Sequence, residues 1–465
     1  MSDYSYLWKR ENPFYSLHKE TWERSRDAYS GGSDYIDLAL IKHISEVDVE
    51  FVERRRRAYY FNYPRKIARL ITQYVLSEEP RRRNAAPELE EDFSRSGLRT
   101  NEVMRQFSTM LNVYGEAWLL VDMPEFSGEI DPERQKRERI RPYALALSPL
   151  AVVDWSYGED GALAWAVVAE NGTYSPNPFL PPVRFSRRRL WTRDGWFLFE
   201  RENETGMVFL KDSAAHKLDR VPLIRGIESD GFGMDANHWF EDAVRISDAI
   251  LNNESEAQMN AVKQMFGLLV ISESFARSAR ANTPDSSSEP GGGKFSHILA
   301  RSAAIWESNE EKGISRYISP SGIETQAIRT ENLNLKKELF DVIGLAVQKD
   351  SATEQTAESK AWDHQNVKQF LVSRADILEQ AEQMAWELMH CWDRSVEVPE
   401  VVYNRDFAVT ELKSSVEALL GLEQISHSGE FSKEIARSAV GLLEKINRIS
   451  PAARRKILEE IDHAG

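Results

Sequence analysis

Residues 237–265 carry a helical period with a thin apolar stripe. Phe240, Val244, Leu251, Val262 and Met265 recur at helical spacing, while most other positions are Asn, Glu, Ser, Gln or Asp. A helix of this length spans roughly 40 Å. It is too thinly apolar to serve as the core helix of one globular domain, so identical neighbours on its flanks, or water on most sides, are expected. A second, mostly polar helix is expected over residues 323–346. Between the two, residues 266–322 read as a small α/β insert. Short strands are expected there at 266–271, 295–300, 303–306 and 314–318, with a flexible Ser/Gly loop at 286–293. Any fold for this chain must place two long polar helices around a small insert.

On the N-terminal side, residues 48–77 read as helix interrupted at Pro64, which lacks an N–H donor. The run Arg54 to Arg57 is expected to be a solvated face or a source of inter-subunit ion pairs, with direct DNA contact as the alternative. Val103, Phe107, Met110 and Leu111 suit a helix, and residues 114–122 then form an apolar strand. Strand-like pieces follow at 142–150, 151–155, 163–169 and 190–199, with turn signals at residues 158–161, Asn171-Gly172 and Asp194-Gly195. This middle region is expected to be β-rich, with Trp155, Trp165 and Trp191 packed in a core or interface rather than lining a ligand cage.

On the C-terminal side, residues 347–358 are loop-like. A strongly periodic helix runs from Val367 through Phe370, Leu371, Leu378, Ala385 and Leu388 to Trp392. Strand-like pieces are expected at 396–398 and 401–403. Residues 410–465 read as a charged helical tail, with Pro451 opening its last helix.

The chain has 465 residues, 42% hydrophobic, enough for about three domains. Its formal net charge is −15, the wrong sign for a general nucleic-acid wrapper. An acidic wall suits DNA that must slide without sticking. The single cysteine, Cys391, excludes an intrachain disulfide and a Cys-based metal cluster; it is expected to be a small core residue. No apolar run is long enough to span a membrane, and the opening residues lack a signal-peptide pattern, so a soluble protein made in a reducing cytoplasm is expected. Gly291-Gly292-Gly293-Lys294-Phe295 is not a P-loop, because Phe295 stands where Ser or Thr is required. No metalloprotease, EF-hand or nucleophile-elbow motif is present. The histidines do not cluster, and no carboxylate pair sits in an apolar setting. No catalytic residue, metal or cofactor is therefore expected.

The order of these elements resembles the portal proteins of tailed bacteriophages. The resemblance runs along nearly the whole chain. It is carried by Arg57-Ala58-x-x-Phe61-Asn62-Tyr63-Pro64-x-x-Ile67-Ala68, by Val113-Tyr114-Gly115-Glu116-Ala117-Trp118-x-x-Val121-Asp122, by Ser148-Pro149-x-x-Val152-Val153-Asp154-Trp155, and by Val221-Pro222. The segment Ala357-Glu358-Ser359-Lys360-Ala361-Trp362 stands where that family often has Ser-Gly. The resemblance implies an α+β portal fold: a helical and β-rich wing (residues 1–236), a first stem helix (237–265), a clip (266–322), a second stem helix (323–346), a tunnel loop (347–358), a long wing helix with strands (359–410) and a helical crown (411–465).

By the same resemblance, copies form a closed ring, typically of twelve subunits, at one capsid vertex of the virion. Double-stranded DNA passes through it without sequence specificity. The terminase large subunit, the head–tail adaptor and the major capsid protein are the implied partners, and no membrane is involved. The tunnel-loop residues Gln348, Lys349, Asp350, Ser351 and Thr353 would line the DNA channel. Lys349 would form a belt of positive charge there, or pair at the surface with Asp350 or Glu354. Arg277, Arg280 and Lys294 of the insert would face the adaptor. Another structural virion protein, such as a connector or scaffold, and a cytoplasmic enzyme are the alternatives.

Overall fold

The computed structural model describes residues 4–124, 132–203, 205–228, 239–265, 268–272, 305–308, 316–318, 322–341 and 357–407. The chain divides into two compact units, Met1–Arg405 and Asp406–Gly465, and the second lies almost wholly outside the described residues. The first unit begins with helices α1 (Ser5–Lys9), α2 (Pro13–Ser30), α3 (Ser33–Ala39), α4 (Asp48–Arg57) and α5 (Tyr63–Val75). Strand β1 (Arg81–Arg83), helices α6 (Pro87–Glu91) and α7 (Thr100–Tyr114), strand β2 (Glu116–Asp122), helix α8 (Pro132–Glu138) and strand β3 (Tyr143–Leu147) follow. Next come β4 (Val152–Tyr157), β5 (Leu163–Tyr174), β6 (Val183–Thr192), β7 (Gly195–Arg201), β8 (Val208–Ala215) and β9 (Leu223–Ile227). Then α9 (Trp239–Met265) leads to β10 (Leu268–Ser272), β11 (Ile305–Ser308) and β12 (Arg316–Ile318), and α10 (Ile323–Asp341), α11 (Ala357–Trp392) and β13 (Glu400–Val402) complete the unit.

The class is α+β. Strands β4 to β8 form a five-stranded antiparallel meander, and β3-β2-β9 a three-stranded antiparallel sheet. A buried cluster containing Trp118, Trp155, Trp191, Trp196, Val152 and Val167 joins residues of both sheets, with the Trp118 and Trp155 rings edge-on at 5.4 Å. Trp155 and Trp191 are thus core residues, and Trp165 packs against the same cluster. Helix α7 lies against β2 and β3, and α11 against β2 and β9. Gly226 of β9 makes that layer possible. A Cβ there would sit 2.5 Å from the Phe107 ring on α7 and 3.3 Å from Ile377 on α11.

Several expectations are corrected. Residues 48–77 form two helices, α4 and α5: of the two expected effects of Pro64, a kink or a restart, the structure shows the restart. Pro64 sits in the first turn of α5, where its missing N–H is not needed, and the Asn62 side chain caps that turn by accepting from the Arg65 N–H. The strand expected over 190–199 is a hairpin of β6 and β7. Asn171-Gly172 is no turn: β5 continues to Tyr174, and Gly172 faces the Phe185 ring, which occupies the space a Cβ would need. Residues 396–398 form no strand: they follow a turn closed by the Val396 N–H donating to the Asp393 carbonyl, and the His390 imidazole lies 2.6 Å from the Val396 carbonyl; β13 is a strand, paired antiparallel with β1. Cys391 is half-buried, not a core residue.

Candidate functional site

Helix α9 and what returns from it form the part of the fold least like an ordinary core. Its N-terminal two-thirds are buried: Phe240, Val244, Ile250 and Leu251 are each at most 2% exposed, and no residue beyond Ala257 is buried. The expectation that α9 could not be a core helix therefore fails for this portion. The reason lies in three of its polar residues, Asp248, Asn252 and Ser255, which meet partners on the N-terminal helices. Asp248 accepts from the Tyr35 hydroxyl at 2.6 Å and from the Arg24 guanidinium at 2.6 Å. Asn252 donates to the Ala39 carbonyl and accepts from the Ile41 N–H. Ser255 accepts from the Arg54 guanidinium at 2.9 Å. Burial pushes the Asp248 carboxyl up against the opposing pull of Tyr35 and Arg24, and pushes the Tyr35 hydroxyl well above its usual range.

Arg54 is the hub of this base. It donates to both Glu46 carboxylate oxygens at 2.8 Å and to the Ile41 carbonyl at 2.6 Å, and its side chain is only 3% exposed. The Arg54 guanidinium holds the Glu46 carboxyl below its ordinary value. Arg55 pairs with Asp37 and Arg57 with Glu53. The four-arginine run is therefore not a uniformly solvated face, and three of its members are engaged within the chain.

Beyond this base, α9 and α10 run antiparallel, with Asn253 opposite Asn332 and Gln264 beside Gly322. Their seam is polar: Asn253 donates to Asn332 at 3.0 Å, and Asn332 donates to Glu254 at 2.9 Å. Asn332 is 1% exposed. Strand β10 follows α9 after two residues, so the β11-β10-β12 sheet belongs to the far end of the helix pair. β10 pairs parallel with β11 and antiparallel with β12.

Helix α11 is fastened to the body by buried polar contacts, among them the Trp392 indole donating to the Val121 carbonyl at 3.0 Å. Arg374, 1% exposed, pairs with Glu228 at the end of β9. Further on, Glu382 accepts from Arg82 through both carboxylate oxygens, from the Tyr403 hydroxyl at 2.7 Å and from the Trp386 indole at 3.2 Å. Burial in this cluster drives the Tyr403 hydroxyl far above its usual range.

The expected channel residues Gln348, Lys349, Asp350, Ser351 and Thr353, between α10 and α11, lie outside the described residues, as do Arg277, Arg280 and Lys294. The crown, residues 411–465, and the strand expected at 295–300 lie outside them too. Among the described residues no group of His, Cys, Asp and Glu is placed to hold a metal ion, and no helix is long and apolar enough to cross a membrane. A cleft of about 300 Å³ beside Trp8, Lys19 and Arg188 is lined by charges already engaged: Lys19 pairs with Glu11, and Arg188 donates to the Leu7 and Arg10 carbonyls. The polar anchors of α9 escaped the sequence reading, although Asp248, Asn252 and Ser255 recur at the i, i+4, i+7 spacing of one helix face.

No protein-family model and no curated protein matches the chain. Among solved structures, it is similar to a chain in the virion of a native gene transfer agent particle, with TM-score 0.42 and 13% identity over 84% of this chain and 94% of that one. Chains in the neck of the empty particle computed with C6 symmetry (TM-score 0.38, 13% identity) and of the native particle computed with C12 symmetry (TM-score 0.37, 12% identity) match over the same shares. All three TM-scores fall below 0.5, so function has to be read from this chain's own residues.

Proposed function

We propose that this chain is a portal subunit: a non-enzymatic building block of a ring at one capsid vertex, through which DNA enters and leaves a virion. The observation that carries the reading is the α9–α10 pair. Two antiparallel helices leave the body, share a hydrogen-bonded polar seam and carry a small sheet at their far end. A 36-residue helix, Ala357–Trp392, is tied to the body by the Arg82–Glu382 and Arg374–Glu228 ion pairs. This order of helix, small sheet and helix supports the stem, clip and stem arrangement that the sequence resemblance implies. On this reading the clip meets the terminase large subunit and later the head–tail adaptor, the body meets the major capsid protein, and Lys349 faces the DNA.

Negative-stain microscopy of the purified full chain tests the proposal. Rings with a central hole are the expected result; a folded monomer at every concentration, or an extended scaffold, overturns it. Lys349→Ala tests the channel separately. Ring assembly should be unchanged, because a single loop charge contributes little to packing, while genome retention should fall. Phosphate contacts of this kind are weak singly, multiplied by symmetry and sensitive to salt. Full-length genomes retained as in the wild type would remove the charged belt from the proposal.

A further inference from the structure

Helix α9 separates two faces of the molecule. At about 100° per residue, Asp248, Asn252, Ser255 and Lys263 cluster on one side of its axis, and the mean direction of Asn253 and Glu254 lies roughly 170° away. The first group holds Tyr35, the backbone at Ala39 and Ile41, Arg54 and Glu50. The second holds Asn332 of α10. The α3–α4 segment and α10 therefore flank α9 on opposite sides.

The α3–α4 flank is an apolar ledge. Leu38, Ile41, Ile44, Val47, Val49 and Val52 fall within fifteen consecutive residues, and their exposures run from 59% at Val52 to 98% at Ile44. Summed over the six residues the exposure is on the order of 700 Å², interleaved with exposed polar residues such as Lys42 and Asp48, and a stable interface takes ~800 Å² from each partner. The ledge is also held rigid. Arg54 closes a bidentate pair with Glu46, grips the Ile41 carbonyl and reaches Ser255 of α9, so the 41–47 connection is fixed before anything binds. On the other flank, Ile323 (76% exposed) lies opposite α10's buried stripe of Thr325, Asn332 and Leu339, and Leu333 (58% exposed) lies about 100° round from that stripe.

We infer that the α3–α4 ledge of one copy seats against the outer side of α10 of a second copy. Two different surfaces on opposite flanks of one helix make a head-to-tail contact, and a contact of that kind repeats until it closes into a ring. The inference rests on the ring reading above and names the surfaces that build it. A partner of another kind would need a patch of this area without requiring a matching face on the opposite flank.

The test uses the full chain with Cys391→Ser, which removes the one native thiol. Ile44→Cys and Leu333→Cys are introduced singly and together, and assembled protein is treated with a short bismaleimide. The double variant should give a covalent ladder of oligomers, and each single variant should give monomer. Dimers from Ile44→Cys alone would mean ledge against ledge and overturn the inference, as would rings that yield no ladder; both leave the ring reading intact. Protein that forms no rings overturns the ring reading itself. Independently, Ile44→Asp should raise the protein concentration needed for half-assembly at least tenfold. The circular dichroism and melting of the unassembled chain should stay unchanged, because Ile44 is almost fully exposed. Assembly at the wild-type concentration would overturn the inference.

Discussion

Replacing Glu382 by alanine should be the most damaging single change in the body of the molecule. The carboxylate is fully buried, and the Arg82 side chain beside it is 5% exposed, with Nε 2.5 Å away. Removing the acceptor strands a guanidinium charge that keeps only the Asn101 amide and a 3.7 Å approach to Glu90, and leaves the Tyr403 hydroxyl unpaired. Breaking a buried pair from one side costs about 3–5 kcal/mol. With an unfolding entropy of roughly 2.1 cal/mol/K per residue over a unit of about 400 residues, that lowers Tm by about 4–6 °C. The assay is urea denaturation followed by tryptophan fluorescence, at a protein concentration below that of assembly so that association does not mask the loss. Arg82→Met combined with Glu382→Leu should recover at least half of it, because no buried charge is then left alone. A single-variant cost under about 1 kcal/mol, or simple additivity of the two substitutions, would refute the reasoning.

Three further outcomes are expected. Gly226→Ala should cost about 1–3 kcal/mol by overpacking, since its Cβ would press on the Phe107 ring and Ile377 together; an unchanged urea midpoint would contradict that placement. Glu46→Gln should destabilise the chain near neutral pH by about 1–3 kcal/mol, the worth of a charged, nearly buried hydrogen-bonded pair. Because Arg54 lowers the Glu46 carboxyl in the folded state, the wild-type advantage is present above the ordinary value of 4.5 and disappears as pH falls through the lowered one; a difference that persists undiminished well below that point would refute the linkage. Asn332→Ala leaves Asn253 and Glu254 without their partner, so amide exchange in residues 258–265 should speed up about tenfold or more while β2 and α7 keep their protection.

The sequence revealed most where a single period dominates. α7, β2, α9 and α11 are plain from apolar spacing, and the two polar helices around an insert stand out in the sequence because their apolar stripes are so thin. It misled where contacts distant in the chain decide the conformation. Asn171-Gly172 looks like a hairpin turn, yet the Phe185 ring across the ladder makes glycine a packing choice. β1 consists of three arginines and pairs with β13 more than 300 residues away, so no local pattern announces it. β8 is almost wholly exposed and lacks the alternation that marks a half-buried strand. Arg54 reads as one of four solvated arginines, but Glu46, Ile41 and Ser255 give it three kinds of acceptor at once. A buried arginine cannot be recognised until its acceptors are folded into place.

The polar base of α9 also explains how a helix with a narrow apolar stripe can be set so definitely. Apolar packing alone is non-directional and tolerates some rotation about the helix axis. Asp248, Asn252 and Ser255 do not tolerate it. Turning α9 by one residue would take each away from its partner, at about 1–3 kcal/mol for every buried group left unsatisfied. The combined penalty is a large part of the ~5–15 kcal/mol that holds a domain folded. Hydrogen bonds at the base thus fix the direction in which Asn253 and Glu254 point, and with it the side on which α10 lies. The ledge and the outer side of α10 then stand on opposite flanks by construction, before any second copy arrives.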